Sequence, residues 1–425
     1  MRSIRSPRIP LAIAVALATM AGSARADDAK PAPSPENPRP GEVLTEAVSK
    51  AWPDRPEWLD MFADILRGSQ LGPEDGWFRR AVAQSRFDWP ATRERLDRDG
   101  DGEVARGEFP GPDADFARLD RDRDEVLAPA DFDFTPHALT PSPGAMLFYR
   151  SDGDGNGKVT REELDALFKR ADGGGQGFLS LSDLQEAFRM PSKGGAAPGP
   201  GGPSRATLVR GLFRQEIGSL RPGPSLGEKA PDFSLKTNDD GREWTLSKMV
   251  GPKPVVLVFG NFTCGPFRSR AGDVEKLHRM YRDRATFVMV YVREAHPTDG
   301  WSMDSNDRVG VAFPQPRSYE ERASVARTCG ERLGLGFPML VDTIDDTVGT
   351  RYSGMPSRLY VIDRDGEVAY KSGRGPFGFK PAELEHSLIL LLNQGRTSAP
   401  PHLEGNPAPP SVRATRRHSP LLPGA

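Results

Sequence analysis

Residues 255–267 read VVLVFGNFTCGPF. Val255 to Phe259 is an apolar, mostly β-branched run with the length and composition of a buried strand. Gly260 breaks the run, and Thr263-Cys264-Gly265-Pro266 follows. Proline is tolerated in the first turn of a helix, where an N–H has no partner to lose. The stretch therefore predicts a strand, a tight turn, a thiol and a helix, in that order. A cysteine at such a turn faces the unpaired amides and positive end of the helix, which favour thiolate over thiol. Cys264 is the candidate nucleophile.

Working outward on the C-terminal side, strands and helices alternate. Ala230-Pro231-Asp232-Phe233 opens the region, with a polar turn at Asp239-Asp240-Gly241. The helix after the cysteine is predicted to reach about Arg282, and a second apolar strand spans Thr286–Val292. Beyond an irregular insertion, Tyr319–Leu333 reads as helix and Phe337–Val341 as strand. Gly354-Met355-Pro356 precedes a strand to Asp363, which pairs with Glu367–Tyr370, and Leu384–Leu392 forms the last helix. This order, with a cysteine after the central strand and a proline just before a late one, resembles the thioredoxin fold. The resemblance implies that the Met355–Pro356 bond is cis and that its loop faces the thiol. Cys329, on the helix face of Ala326 and Leu333, fits a packed core thiol and a resolving thiol equally well.

On the N-terminal side, Asp97, Asp99, Asp101, Gly102 and Glu108 fill positions 1, 3, 5, 6 and 12 of an EF-hand calcium loop. Three short side-chain oxygens, a glycine for the sharp turn and a bidentate glutamate complete an oxygen shell, with the carbonyl of Glu103 at position seven. Asp152, Asp154, Asn156, Gly157 and Glu163 repeat the pattern, with the carbonyl of Lys158 at position seven. Two degraded copies accompany these. Asp120, Asp122 and Asp124 keep the early ligands, but Glu125 replaces the glycine and Asp131 is short for position twelve. Asp172 opens the other, which has Gly174 and Gln176 at ligand positions. All four carry an aliphatic position eight (Val104, Leu127, Val159, Leu179), the residue that joins paired loops by a β-bridge. The predicted pairs are therefore 97 with 120 and 152 with 172.

Upstream of the loops, Trp58, Met61, Phe62, Ile65 and Leu66 mark one helix face, and Trp77, Phe78, Ala81 and Val82 a second short helix. Both are read as packing for the calcium loops. The first residues carry an address: Arg2, Arg5 and Arg8 precede an apolar run from Ile9 to Met20, and Ala24-Arg25-Ala26 has the form of a cleavage site. Residues 1–26 are read as a secretory signal, leaving no membrane span after cleavage and placing the protein in the periplasm or outside the cell. Residues 27–42 read as a disordered leader and 43–190 as an all-α EF-hand module. Residues 191–205 are a Gly/Pro-rich linker, 206–395 an α/β thioredoxin-like domain, and 396–425 a disordered basic tail. A formal net charge of −2 gives no electrostatic argument for nucleic acid. With only two cysteines in 425 residues, a disulfide scaffold and a Cys-rich zinc module are excluded.

A narrower likeness rests on five ordered motifs: FGNFTCGPF (259–267), VYVREAHPTDGW (290–301), VDTIDD (341–346), SRLYVID (357–363) and GRGPFGF (373–379). Together they resemble the iodothyronine deiodinases, in which selenocysteine stands where Cys264 stands here. The insertion from about Glu294 to Ser318 belongs to the same likeness. It implies that Cys264 is the nucleophile, that Glu294 and His296 belong to a proton-handling network, and that Thr263 adjoins it in the active-site loop. Arg293 stands where that family usually has a second glutamate, and Phe262 where it has a cysteine.

The reading is an exported calcium-binding protein carrying a thiol oxidoreductase domain, with reductive dehalogenation at Cys264. It would act on a small-molecule substrate and be regenerated by an external thiol reductant. The alternatives are a one-cysteine peroxidase and a non-catalytic, calcium-dependent binding protein.

Overall fold

The computed structural model describes residues 50, 52, 55–69, 71–135, 142–188 and 203–395. The expected export signal and leader, nearly all of the expected linker and the basic tail lie outside them. Two helices come first, α1 (Glu57–Arg67) and α2 (Gly76–Arg80), followed by β1 (Gln84–Ser85). The first loop pair contains α3 (Trp89–Leu96), β2 (Val104–Ala105), α4 (Asp113–Leu119) and β3 (Val126–Leu127). The second has α5 (Pro143–Ser151), α6 (Arg161–Ala171) and α7 (Leu181–Ala187), and α8 (Arg205–Phe213) leads onward. The thiol region then runs β4 (Ser234–Thr237), β5 (Glu243–Thr245), α9 (Leu246–Met249), β6 (Val255–Gly260), α10 (Gly265–Ser269), α11 (Ala271–Tyr281) and β7 (Thr286–Tyr291). It ends with α12 (Asp304–Asp307), α13 (Tyr319–Leu333), β8 (Met339–Val341), α14 (Thr347–Tyr352), β9 (Arg358–Ile362), β10 (Val368–Lys371) and α15 (Pro381–Asn393).

One eight-stranded mixed sheet, in the order β1-β10-β9-β6-β7-β8-β4-β5, organises these elements. β6 lies inside it, parallel to β7 and antiparallel to β9, and all six of its residues are buried. A strand covered on both faces has no polar side, which is why 255–259 is a continuous apolar run without alternation. β7 and β8 continue the parallel set, and the β6–α10/α11–β7 crossover places Cys264 at the C-terminal end of the central strand. The topology is thioredoxin-like. Met355–Pro356 is cis, as the motif implied, and so is Gly375–Pro376, which the sequence did not reveal.

The structure departs from the sequence expectations in five places. The helix after Cys264 breaks at Arg270, whose φ and ψ are −106° and 0°. The 43–190 region is not all-helical: β1 joins the main sheet by pairing with β10, and β2 pairs with β3 through Val104↔Leu127. That bridge is the one expected for the first loop pair. Among the described residues the second pair forms no strand ladder. Finally, α1 and α2 do not pack under the acidic loops. Their Met61, Ile65 and Trp77 form a cluster with Leu208 and Leu212 of α8, and Trp301 packs against it.

Nor does the core divide at the linker. Phe87, Val104, Phe109, Phe116, Leu119 and Leu127 belong to one apolar cluster with the central strands. Asp115 of α4 accepts from both terminal nitrogens of Arg284 (3.0 and 2.8 Å) and from Asn393 Nδ2 (2.7 Å). A two-oxygen match of this kind fixes geometry as well as charge. The first loop pair is thus seated on α15 and on the segment before β7. Phe116 is 5% exposed, so Phe116→Ala should cost about 3–5 kcal/mol. The loss should appear in urea unfolding as one displaced transition, followed by Cys264 accessibility and far-ultraviolet dichroism alike. An unmoved transition for the thiol region would show that the first loop pair folds as an independent unit.

Candidate active site

Cys264 stands at the N-cap of α10 and is 2% exposed. The Phe267 amide, the Arg268 guanidinium and the Ser357 hydroxyl all favour its thiolate, but burial outweighs them and pushes the thiol up to about 11. The low-pKa thiolate expected from the helix start is therefore corrected. A five-residue helix gives a small positive end, and desolvation of a buried charge is the larger effect.

Thr263 is the hub beside it. Its amide and hydroxyl both donate to Glu294 Oε2 (2.9 and 2.8 Å), and the hydroxyl oxygen accepts from the His296 amide (3.0 Å). Three of the four residues assigned to chemistry by sequence, Thr263, Glu294 and His296, thus meet at one hydroxyl next to the fourth, Cys264. Glu294 is 1% exposed, and burial raises its carboxyl although Tyr291 and Thr263 donate to it. Tyr291 hydrogen-bonds Glu294 Oε1 and accepts from the Phe262 amide at 3.0 Å. Burial also holds His296 down to about 4, so its imidazole is neutral at ordinary pH. His296 Nδ1 lies 3.1 Å from the Trp301 carbonyl, which accepts only, so Nδ1 carries the proton. The Trp301 ring stands edge-on to the imidazole, with centroids 4.7 Å apart.

Several residues that organise the site gave no usable sequence signal. Asn261 Oδ1 accepts from the Ala295 amide (3.0 Å), while its Nδ2 donates to the Pro356 carbonyl (3.0 Å). Arg268, 4% exposed, donates to the Phe262 carbonyl (2.5 Å) and to Asn306 Oδ1 (2.7 Å). Asn306 Nδ2 in turn donates to the Thr263 carbonyl at 2.8 Å. Tyr291 alone left a trace, as a hydroxyl closing an apolar strand three residues before Glu294. Arg293 pairs with Asp346, which also binds buried Arg322 at 2.8 Å. Cys329 is fully buried beneath the site, and both cysteines are free thiols. Burial raises its thiol well above the ordinary value, which suits the packed-core reading.

The acidic loops form a second set of candidates. Asp97, Asp99 and Glu108 each offer an oxygen within 4.8 Å of the others, as do Asp120, Asp122 and Asp131, and Asp152, Asp154 and Glu163. Among the described residues the fourth loop gathers no such trio. Asp101, Asp124 and Asn156 lie outside the trios and accept from amides two residues on, in Glu103, Val126 and Lys158. Glu103 and Lys158 are expected to act through their carbonyls, and the Lys158 side chain is turned away to the Leu333 and Gly334 carbonyls. Positions four and six are left-handed in all four loops: Gly100 and Gly102, Arg123 and Glu125, Gly155 and Gly157, Gly175 and Gly177. The degraded second loop keeps this backbone without glycine, at the steric cost a side chain incurs there.

Fold and site together define a thioredoxin-like domain with a single buried thiol at the head of its active-site helix. Residues 210–391 match the family model described as iodothyronine deiodinase. Type I iodothyronine deiodinase of Xenopus laevis is 33% identical over 159 residues, covering 37% of this chain and 61% of that one. Thyroxine 5-deiodinase of Homo sapiens is 36% identical over 159 residues, covering 37% and 51%. The chain spans about half to three-fifths of the length of these relatives. Among solved structures, a secreted disulfide oxidoreductase of Mycobacterium tuberculosis is 19% identical, covers 37% of this chain and 96% of its own, and superposes with a TM-score of 0.28. The fold assignment rests on the strand order and on the family match, not on that superposition.

With the imidazole neutral and the thiol at about 11, no imidazolium–thiolate pair exists at neutral pH. The rate of Cys264 alkylation by iodoacetamide should therefore climb about tenfold per pH unit from pH 7 to 10, following the thiolate fraction. A plateau beginning below pH 8 would reveal a preformed thiolate.

Proposed function

We propose that this chain is an exported, calcium-binding thiol oxidoreductase that carries out reductive dehalogenation of an aryl iodide through Cys264. The observation that carries the reading is the hub at Thr263, which joins Glu294 and His296 beside the one thiol at the head of the helix. The deiodinase match over residues 210–391 supports it. In the reaction the Cys264 thiolate takes iodine from the ring, forming a sulfur–iodine bond as the carbon–iodine bond breaks. The ring carbon keeps the bonding pair and receives a proton. An external thiol then displaces iodide to give a mixed disulfide, and a second thiol restores Cys264 and leaves as the oxidised disulfide. Glu294, with its raised carboxyl, is the suited proton source; His296, neutral to about pH 4, positions rather than acidifies. Burial of Cys264 makes substrate entry and thiol ionisation one coupled event, because charge at sulfur is favoured only once the site opens.

The test uses the full chain, a dithiol reductant and an iodinated phenol. Iodide release is expected from the wild type, and Cys264→Ser should retain less than about a hundredth of it. Equal release from both proteins, or none from either, overturns the dehalogenase reading. Peroxide consumption that depends on Cys264, without iodide release, would install the peroxidase instead.

Export is proposed from the basic, apolar and small-residue order of residues 1–26. Among the described residues no helix is long and apolar enough to cross a membrane. Calcium is the fitting ion for the acidic loops, since every donor is a hard oxygen and the turn residues hold the required backbone. Asp97, Asp99, Asp101 and Glu108 would hold one ion, and Asp152, Asp154, Asn156 and Glu163 another, with the carbonyls of Glu103 and Lys158. Asp120, Asp122, Asp124 and Asp131 offer a lesser third set. Calcium at 100 times its dissociation constant stabilises a folded protein by about 2.7 kcal/mol per site. The thermal midpoint should therefore rise by several degrees over the chelated protein, and a midpoint indifferent to chelator would remove calcium from the proposal.

A further inference from the structure

The break in the helix after Cys264 coincides with a contact made by the third acidic loop. A Cβ on Gly157, at the turn of that loop, would fall 2.0 Å from the Arg268 carbonyl oxygen and 3.2 Å from the Ala271 amide nitrogen. The fit is reciprocal: a Cβ on Gly272 would fall 2.2 Å from the Gly157 carbonyl oxygen. Backbone therefore lies on backbone, at a separation only two glycines permit. The neighbouring Gly155 abuts Val309, and the Lys158 ammonium donates to the Leu333 and Gly334 carbonyls (2.7 and 3.1 Å) at the end of α13. By contrast, a Cβ on Gly100 or Gly102 of the first loop would meet nothing within 4 Å.

These contacts fall on both ends of the clamp that holds the thiol loop. Arg268, whose carbonyl seats Gly157, grips the Phe262 carbonyl and Asn306 with its guanidinium. Asn306 grips the Thr263 carbonyl with its amide, and its own carbonyl accepts from the amide of Val309, the residue against Gly155. Loop, clamp and thiol turn form one continuous path of packed backbone and hydrogen bonds.

We propose that the third acidic loop is the positioning element of the thiol site: its tip seats the first turns after Cys264, so that a divalent cation ordering the loop orders the thiol. The positioning stands on the contacts alone; its metal-linked part rests on the calcium reading. Gly157 and Gly272 act through Arg268 and Asn306 and touch no substrate.

The test follows Cys264 carboxamidomethylation at pH 8.5 by peptide mass analysis, with amide hydrogen exchange over 262–272, in the full chain. Gly272→Ala suits the helix but intrudes on Gly157. It should speed alkylation roughly tenfold by unseating the turn, an overpacking effect confined to that contact. Lys158→Met, which removes the tether and leaves the backbone carbonyl, should speed it severalfold. Gly144→Ala, on a helix position with nothing within 4 Å, should leave it unchanged. Wild-type rates in both Gly272→Ala and Lys158→Met overturn the positioning role; if Gly272→Ala does not fold, Lys158→Met decides alone. In the metal arm, calcium should slow alkylation and exchange in the wild type but not in Glu163→Gln, while Glu163→Gln keeps a calcium-dependent thermal shift through the first loop. Calcium that raises the midpoint without altering wild-type alkylation overturns the coupling and spares the calcium reading. A protein whose midpoint and alkylation both ignore calcium overturns the calcium reading, with the two packing variants still deciding the positioning.

Discussion

The site depends on one buried amide side chain. Asn261, wholly enclosed within the thiol turn, ties that turn to two other stretches of chain: the segment after β7 through Ala295 and the cis-proline loop through Pro356. These stretches leave neighbouring strands of the sheet and have no ladder to hold them together beyond its edge. A fully satisfied buried amide does that work, and it also fixes where Glu294 and His296 lie relative to the cysteine. No apolar residue of similar volume replaces it, since each bond is to a group that would otherwise be buried without a partner.

That enclosure explains the electrostatics of the site. Cys264, Glu294 and His296 are all shifted toward their neutral forms, and burial is the first cause in each. The helix start and Arg268 act on the thiol in the opposite direction without winning. At neutral pH the thiol and the imidazole are therefore both uncharged, and the closed site holds no poised thiolate–imidazolium pair. Arg293, turned away to Asp346, shares that carboxylate with buried Arg322, whose charge still favours the ionised form of Glu294.

The central strand is legible as an unbroken apolar run because β6 is sandwiched and must be apolar throughout. The bounds of α13, Tyr319–Leu333, were likewise readable from its apolar face and the glycine that follows. The cis bond and the gathering of Thr263, Glu294 and His296 came from motif order, not from composition. What the chain did not disclose are contacts between remote segments. Asn306 sits in an irregular insertion with no pattern to mark it, and Arg268 looks like any helix-surface arginine until its carbonyl and guanidinium are seen to be buried. The seating of Gly157 on Gly272 is hidden for another reason: both glycines have sufficient local explanations, one in the left-handed turn of an acidic loop and one in a helix. The first loop pair reads as part of a separate module because Pro/Gly-rich composition marks a linker without saying whether the pieces it joins share a core.

The two residues of β1 carry a further consequence. By pairing Gln84 and Ser85 with Lys371 and Tyr370, the segment before the acidic loops covers one margin of an eight-stranded sheet. An uncovered margin offers unpaired amides and carbonyls to any passing strand, including the same margin of another molecule. The thiol region cut away at residue 206 would bear such a margin only over residues 369–371, since Val368 keeps its bonds to Gly227 and Glu228. Its tendency to self-associate would then be set by how the chain was divided and not by any property of the thiol site.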